Sequence, residues 1–363
     1  MPQRHPLPSL VAAPGWSRRH FLRLAGGAAV SLLIGCRPQS TPIPLPTSSP
    51  AVAPTPTPPA TATSPRAIRI TPTADFYEQQ YQGVAEVDVD SWRLTIDGLV
   101  RRPLTLDDAA VRALPRAEMM RTLECIGNPV GGNQIGNANW AGFWLADVLA
   151  QAGVRAEARR ARLLAADGYE TSVDAARLME PGVLMAYEMN GEPLTPAHGF
   201  PLRIFLPGLY GQKMPKWITQ LDFIADAGHR GYWEQRGWSD EAVVKTNSQI
   251  VSPAHISRLP LGDVAIDGVA YAGIRPITRV EIGIESGGNP PAWQDATLLP
   301  GPSAEVWTQF YHTWRPTAAT SYTLYVRATD SDGFRQNEIG RGILEGAFPD
   351  GTDKIQNIVV QIG

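Results

Sequence analysis

The chain has 363 residues and a net charge of −3, so its charge gives no reason to expect binding to nucleic acid. Charged residues make up 18% of the chain, and its 33 prolines and 34 glycines indicate many turns and strands. The length and the apolar content predict two domains, each able to bury a core.

The first 36 residues predict an export signal rather than part of the fold. Residues 17–23, Ser-Arg-Arg-His-Phe-Leu-Arg, have the twin-arginine pattern of a Tat signal, and residues 24–35 form a short apolar run. Because Leu-Ile-Gly precedes Cys36 as in a lipobox, we expect Cys36 to carry a lipid anchor. The alternative is an uncleaved N-terminus that anchors the chain directly.

Residues 37–66 are rich in proline, threonine and serine and predict a disordered tether. With Cys36 lipidated, we expect the folded part to be held on the outer face of the cytoplasmic membrane. The only other cysteine is Cys125, so no intramolecular disulfide is expected in the mature chain.

Residues 67–252 predict a first domain with helices and strands. Residues 92–98 alternate and then turn, and Thr105 is placed to cap a helix over 107–114. A second helix is predicted from residue 145 because apolar residues recur at helical spacing until Gly153. Four further strands are predicted, at residues 161–166, 183–189, 202–207 and 217–224.

Residues 253–363 predict an all-β second domain. Residues 264–271, 277–284 and 321–328 alternate with period two, as in the strands of a sandwich. Residues 286–291, Ser-Gly-Gly-Asn-Pro-Pro, predict the tip of a hairpin or loop.

Cys125 lies in a loop that alternates glycine with asparagine between residues 125 and 139. Such a loop permits close backbone approach and positive φ angles. A thiol in this setting suits a soft metal, because thiolate is the metal-binding form of cysteine. A small buried hydrophobe is the alternative, and this loop alone leaves both open.

Three stretches together resemble one family, the sulfite-oxidase-type molybdopterin enzymes. Residues 122–128, Thr-Leu-Glu-Cys-Ile-Gly-Asn, resemble the loop that supplies the molybdenum ligand in that family. Residues 186–203 resemble its pterin-binding segment, and residues 208–217 its glycine-to-lysine stretch. The resemblance implies an α+β fold, in which a β-rich molybdopterin domain precedes an all-β immunoglobulin-like sandwich that dimerises relatives.

The resemblance also implies the cofactor and its ligands. Molybdenum would be held by two pterin sulfurs and the thiolate of Cys125, which makes Cys125 both the metal ligand and a catalytic residue. Arg203 would bind the phosphate of the pterin through bidentate hydrogen bonds, and lysine would add a positive charge beside it. The other expected cofactor-binding residues are Tyr77, Gln80, Asp167, His198, Lys213, Met214, Pro215 and Lys216.

Each of these residues also has an ordinary structural interpretation. His198 is compatible with a loop histidine, and Arg203 with a surface ion pair. Asp167, before Gly168, is compatible with a simple turn, and the two lysines with solvated charges.

The chain departs from the family at positions that face the substrate. Pro129 and Val130 replace two arginines after the ligand cysteine, Gln79 replaces an upstream arginine, and Trp238 replaces a tyrosine. An unpaired buried dianion is costly, so these losses argue against sulfite and favour a neutral or larger substrate such as an S- or N-oxide. We therefore predict that Trp238 and Gln79 shape the catalytic pocket, although Trp238 is also compatible with core packing.

Two cations near Trp238, Arg236 and Lys245, are candidates to replace the lost arginines. The chain lacks a Cys-x-x-Cys-His haem motif and has too few cysteines for an iron–sulfur cluster. Electrons are therefore expected to pass through a separate cytochrome or a membrane quinone-linked protein.

Three functions follow as hypotheses. The first is an exported molybdenum oxidoreductase that transfers an oxygen atom, with two electrons, to or from a small oxyanion or an S- or N-oxide. The second is a sulfite dehydrogenase whose oxyanion site is rebuilt from other cations. The third is a non-catalytic lipoprotein that binds a partner through its immunoglobulin-like domain.

Overall fold

The computed structural model describes residues 67–340 and 346–363 of the chain. The predicted export signal, Cys36 and the tether lie outside the described residues. Within them the fold is β-rich, with two short α-helices, α1 (Asp108–Arg112) and α2 (Leu145–Ala152). None of the described helices has the length and apolar content of a membrane span.

Two sheets form the N-terminal region and share one apolar core. Their orders are β2-β1-β10-β5-β6 and β3-β4-β7-β8, with β9 paired to β7. Strands β1 and β10 are parallel, and the other pairs are antiparallel. The strands are β1 (Leu94–Gly98), β2 (Leu104–Leu106), β3 (Ala117–Glu124), β4 (Ile135–Trp144), β5 (Arg160–Ala165), β6 (Glu170–Asp174), β7 (Leu184–Met189), β8 (Glu192–Pro193), β9 (Arg203–Phe205) and β10 (Ile218–Ile224).

Two further sheets form the C-terminal region and also share a core. Their orders are β11-β13-β17-β16 and β12-β19-β18-β14-β15. Residues 286–291 connect β14 to its antiparallel neighbour β15, as the loop-tip prediction requires. The strands are β11 (Asn247–Ser252), β12 (Ser257–Leu259), β13 (Val264–Tyr271), β14 (Ile277–Glu285), β15 (Ala292–Asp295), β16 (Thr297–Leu299), β17 (Thr308–Trp314), β18 (Ser321–Asp330) and β19 (Gln356–Ile362).

Several short 3₁₀ turns connect these strands. They are Thr73–Asp75, Ala175–Met179, Pro196–His198, Gly211–Lys213 and Glu234–Arg236. Three of them lie in segments that the sequence linked to the cofactor or to the substrate.

The predicted second helix is confirmed. In α2 the residues Leu145, Val148, Leu149 and Ala152 are buried, which is the helical spacing expected from the sequence. The helix ends at Gly153, whose φ of 66° lies in the left-handed region that glycine adopts without steric cost.

The predicted first helix needs a correction at its start. Thr105 lies in β2, and the N-cap of α1 is Asp107, whose Oδ1 accepts a hydrogen bond from the amide of Ala110 at 2.8 Å. The reason is local, because the backbone stays extended through Leu106 and turns only at Asp107.

The predicted boundary between the two domains, after Ser252, also needs a correction. Strand β11 pairs with β13 in the C-terminal region, although it precedes residue 253. The alternating pattern of residues 247–252 is that of a half-buried strand, and it belongs to the second β region. That region therefore begins no later than Asn247.

The edge strand β3 is covered by the C-terminal region. The amide of Thr122 donates to the carbonyl of Glu305, and the amide of Trp307 donates to the hydroxyl of Thr122, both at 2.9 Å. These bonds satisfy edge groups that would otherwise be unpaired. They also fix the end of the strand that leads into Cys125.

An ion pair between a buried arginine and a half-buried glutamate joins the two regions beside this edge. The guanidinium of Arg121, on β3, bonds to the carboxylate of Glu305 and to the carbonyl of Gly182. Two of its nitrogens, Nε and Nη1, have no partner among the described residues. Burial lowers the pKa of Arg121 and raises that of Glu305.

We predict that Glu305→Gln destabilises the protein by about 3 kcal/mol, because it leaves a buried arginine charge unpaired. The matched control is Asp263→Asn, which breaks an exposed pair with Arg315 and should cost far less because water and salt screen exposed charges. Denaturant unfolding of both variants measures the difference. Equal losses would contradict the role given to the buried pair.

Candidate active site

One cavity of about 490 Å³ collects nearly all of the residues singled out from the sequence. It lies between the Cys125 loop, the segment 196–217 and the aromatic turn at 233–238. Eleven of the twelve predicted site residues line it, the exception being Lys213. The eleven are Tyr77, Gln79, Gln80, Cys125, Asp167, His198, Arg203, Met214, Pro215, Lys216 and Trp238.

Cys125 follows β3 directly and is held by its own backbone. Its amide donates to the carbonyl of Gln134 at 2.9 Å, and its carbonyl accepts from the amide of Asn128 at 3.0 Å. Burial raises the pKa of the thiol to about 11. Cys125 is the one cysteine of the described residues, and it forms no disulfide.

A buried carboxylate fixes this loop to the C-terminal region. Glu124 accepts from Asn128 Nδ2 at 3.0 Å and from Asn247 Nδ2 at 2.9 Å. Asn128 Oδ1 in turn accepts from the amide of Gln134 at 3.0 Å. The loop that carries the thiol is therefore held by a hydrogen-bond network that joins both β regions.

One end of the cavity is cationic. Arg203 is buried and donates from Nη1 to the carbonyl of His198 at 3.1 Å, but its Nε has no partner among the described residues. No described carboxylate pairs with it, and its guanidinium lies over the rings of Trp140 and Phe205. Burial lowers its pKa to about 10.

Lys216 and His198 complete the cationic end. The ammonium of Lys216 donates to the carbonyl of Ala197 at 2.6 Å, and His198 Nε2 lies 3.0 Å from the carbonyl of Thr73. Burial, and then Arg203, lower the pKa of Lys216 to about 7. Burial also lowers the pKa of His198.

Gly199 allows these side chains to come together. Its φ is 108°, and a Cβ at this position would lie 3.0 Å from Lys216 Cβ and 3.2 Å from Arg203 Cβ. A larger residue would push the two cations apart.

The remaining predicted cofactor residues line other parts of the cavity. Burial raises the pKa of the Tyr77 phenol well above its usual value, and the charges of both Cys125 and Arg203 act on it. Asp167 does form a turn, since its Oδ1 accepts from the amide of Tyr169 at 2.9 Å, yet it also lines the cavity. Gln80, Met214 and Pro215 line it as well.

Lys213 is a correction to the predicted cofactor residues. Its side chain is fully buried, and its ammonium bonds to Glu234 at 2.5 Å, to the carbonyl of Ser172 at 2.9 Å and to Asp240 at 3.2 Å. The 3₁₀ turn Gly211–Lys213 directs it away from the cavity, into a polar network behind the aromatic turn. Its charge is therefore already matched by carboxylates, and we do not assign it to the cofactor.

Trp238 and Gln134 lie close to the Cys125 loop at Gly127. The position where Gly127 would carry a Cβ lies 3.7 Å from both Cys125 Sγ and Trp238 Cη2, and 4.0 Å from Gln134 Oε1. Gln134 Nε2 donates to Gln79 Oε1 at 3.1 Å. Two amide side chains, Gln79 and Gln134, therefore line the cavity beside the Cys125 loop.

Sequence analysis missed five aromatic residues of the cavity: Tyr81, Tyr169, Trp217, Trp233 and Phe348. The ring of Trp238 packs edge-on against Trp233 at 6.5 Å and against Phe348 at 5.2 Å. The sequence does hold a signal for Trp233, which lies five residues before Trp238 in a stretch rich in aromatic residues. Phe348 comes from the C-terminal region, and nothing local to residue 348 indicates a role in the cavity.

The two cations considered as replacements for the lost arginines lie elsewhere. The guanidinium of Arg236 stacks on Tyr232 at 3.4 Å, and Lys245 pairs with Asp350 at 2.9 Å. Neither lines the cavity.

Comparison with known proteins agrees with this geometry. Residues 81–233 match the family model described as oxidoreductase molybdopterin binding domain. The chain is 30% identical to a sulfite oxidase of Arabidopsis thaliana over 285 residues, covering 65% of this chain and 72% of that protein. It is 32% identical to the mitochondrial sulfite oxidase of Rattus norvegicus, covering 63% of this chain and 49% of that protein.

The fold is also similar to a solved structure. The crystal structure of the sulfane dehydrogenase SoxCD from Paracoccus pantotrophus superposes with a TM-score of 0.70, over 83% of this chain and 86% of that chain. At 23% sequence identity this likeness concerns the fold. Fold, cavity and sequence similarity together lead to one conclusion: the chain is an enzyme of the sulfite-oxidase-type molybdopterin-dependent oxidoreductase family.

Proposed function

We propose that this enzyme transfers an oxygen atom, with two electrons, to or from a small oxyanion or an S- or N-oxide. Within this class the cavity suits an uncharged S- or N-oxide better than sulfite. The observation that carries the proposal is that Arg236 and Lys245, the cations considered as replacements for the lost arginines, are engaged outside the cavity. Gln79 and Trp238, which stand in place of an arginine and a tyrosine of the family, do line it.

The residues of the cationic end fit the molybdenum–molybdopterin cofactor. A buried arginine without a carboxylate, and with an unpaired Nε, is costly unless an anion neutralises it. The phosphate of the pterin is such an anion, and arginine matches its geometry. Lys216 and His198 would bind the same group, and Tyr77, Gln80, Asp167, Met214 and Pro215 would contact the pterin.

Cys125 would bind the metal as thiolate, which is the metal-binding form of cysteine. The bound cofactor would supply the two-electron exchange and the oxygen-atom transfer. The chain itself positions the thiol through Glu124, excludes water with Trp238 and Trp233, and offers amide groups of Gln79 and Gln134 to the substrate.

An uncharged oxide suits this end of the cavity better than a dianion. Sulfite entering a desolvated site needs cations beside it, whereas the cavity residues that replace an arginine and a tyrosine of the family are an amide, Gln79, and an indole, Trp238. A sulfite dehydrogenase with a rebuilt oxyanion site would need such cations, but Arg236 and Lys245 are engaged elsewhere. The amides of Gln79 and Gln134 are able to donate to the oxygen of a neutral oxide.

We also propose the cellular setting from the sequence. The twin-arginine pattern and Cys36 support export by the Tat pathway and lipid anchoring on the outer face of the cytoplasmic membrane. The C-terminal region, which we interpret as an immunoglobulin-like domain, is the candidate for forming a homodimer. Electrons would be exchanged with a separate cytochrome or a membrane quinone-linked protein.

The first test is reduction by sulfite. We expect the optical and EPR signals of the molybdenum-loaded, oxidised protein to stay unchanged on addition of stoichiometric sulfite, while the reduced protein is reoxidised by dimethyl sulfoxide or trimethylamine N-oxide. Gln79→Arg places a cation at the cavity wall, and we expect sulfite to reduce the oxidised form of this variant. Prompt reduction of the wild type would instead identify a sulfite dehydrogenase.

The second test is cofactor loading. We predict that Arg203→Met lowers the molybdenum content of the purified protein by about tenfold or more, because a charge-assisted grip on phosphate is lost. The matched control is Arg177→Met, an arginine that pairs with Glu180 outside the cavity. Metal analysis, with circular dichroism as a check of folding, decides the matter. Equal molybdenum in all three proteins would refute the assignment of Arg203.

The third test uses the lowered pKa of Lys216. Below pH 7 the lysine is protonated in both folded and unfolded forms, and its burial in the cofactor-free protein is unfavourable. Between pH 7 and its unfolded value near 10.5, folding releases the proton, so this unfavourable contribution shrinks as pH rises.

We therefore expect Lys216→Met to raise the melting temperature of the cofactor-free protein at pH 6, with a gain that becomes smaller by pH 9. Thermal unfolding at both pH values measures this difference. A gain that is the same at pH 6 and pH 9 would show that Lys216 does not titrate in this range.

A further inference from the structure

A groove beside the catalytic cavity combines exposed apolar side chains with carboxylates. Its volume is about 410 Å³. We call it the acidic groove and define it by Glu241, Val243, Asp332, Phe334, Asp350 and Asp353.

The charge of the acidic groove is negative after its ion pairs are taken into account. Two cations also line it, but Lys245 is paired with Asp350 and Arg275 with Asp330, each at 2.9 Å. Three carboxylates remain without a cationic partner in residues 67–340 and 346–363: Glu241, Asp332 and Asp353. Such a surface attracts a basic partner and raises its rate of encounter.

Apolar side chains lie among these carboxylates. Val243 is 46% exposed and Phe334 is 42% exposed. An apolar centre with a charged rim is the composition of a protein-binding surface, in which the apolar residues supply contact area and the rim supplies orientation.

The acidic groove lies next to the catalytic cavity. The carbonyl of Pro349 accepts from the amide of Ser239 at 3.0 Å, and Ser239 lines the groove. The neighbouring Phe348 is 59% exposed, and its ring lies 5.2 Å from that of Trp238, which borders the Cys125 thiol. A protein bound over the groove would therefore lie close to Phe348 and Trp238, an aromatic pair that lines the cavity containing Cys125.

We propose that the acidic groove is the docking surface of a small, basic protein that carries one electron at a time. This inference rests on the proposed function, in which two electrons are exchanged with an external carrier. When a substrate gains oxygen from water, two electrons and two protons are released. Two oxidised carriers then each take one electron, and the protons go to solvent. Reduction of an oxide reverses every step.

The test compares two variants with the same change of charge. The groove variant combines Glu241→Gln, Asp332→Asn and Asp353→Asn. The control variant combines Glu86→Gln, Glu157→Gln and Glu192→Gln, three exposed carboxylates that line neither the groove nor the cavity. Neither variant alters a residue of the catalytic cavity.

The first measurement is binding of a basic c-type cytochrome at low ionic strength. The groove variant should bind about tenfold more weakly than the wild type, and the control variant about as tightly as the wild type. The difference should vanish at high salt, because exposed charges are screened. Equal weakening in both variants, or no salt-sensitive binding to the wild type, would overturn the proposal.

The second measurement is electron transfer from protein reduced with dithionite. The groove variant should reduce the cytochrome about tenfold more slowly at low salt, while its reduction of ferricyanide, a small anion, stays unchanged or becomes faster. Unchanged cytochrome reduction would overturn the proposal. If loaded protein reduces neither acceptor, the proposed function fails instead, and the binding measurement still decides the role of the groove.

Discussion

The buried guanidinium of Arg203 is the constraint on which the cavity depends. It has no carboxylate among the described residues, so its charge is compensated only by carbonyls and aromatic rings. Lys216 lies close enough that each charge disfavours the other. Two cations held together in this way make an anion the natural occupant.

The thiol end depends on the C-terminal region. Strand β3 leads into Cys125, and its edge is bonded to the segment around Glu305 and Trp307. Glu124 extends this connection by bonding to Asn247. The second β region thus supports the metal-ligand loop, and through Phe348 it also contributes to the wall of the cavity. The site is built by both regions rather than by the first alone.

Much of the site could be predicted because its residues lie in contiguous stretches with characteristic order. Three segments each supply several residues of the cavity: the Cys125 loop, the segment from His198 to Arg203 and the glycine-to-lysine stretch. Lys213 was misplaced because it is the last residue of a 3₁₀ turn whereas Lys216 lies beyond that turn, and spacing alone does not say which of the two faces the cavity. Its carboxylate partners are more than 20 residues away. Phe348 was missed because tertiary packing alone brings it to Trp238.

The unmatched charge of the cationic end affects the stability of the protein before the cofactor binds. A ligand that binds only the folded state adds to its stability by mass action. Binding of the cofactor would also relieve the repulsion between Arg203 and Lys216. Loaded and empty molecules would therefore differ in how readily the segments around Gly199 and Met214 open. A protease that cleaves opened chains would remove empty molecules first, so that the cofactor pocket itself acts as a check on assembly.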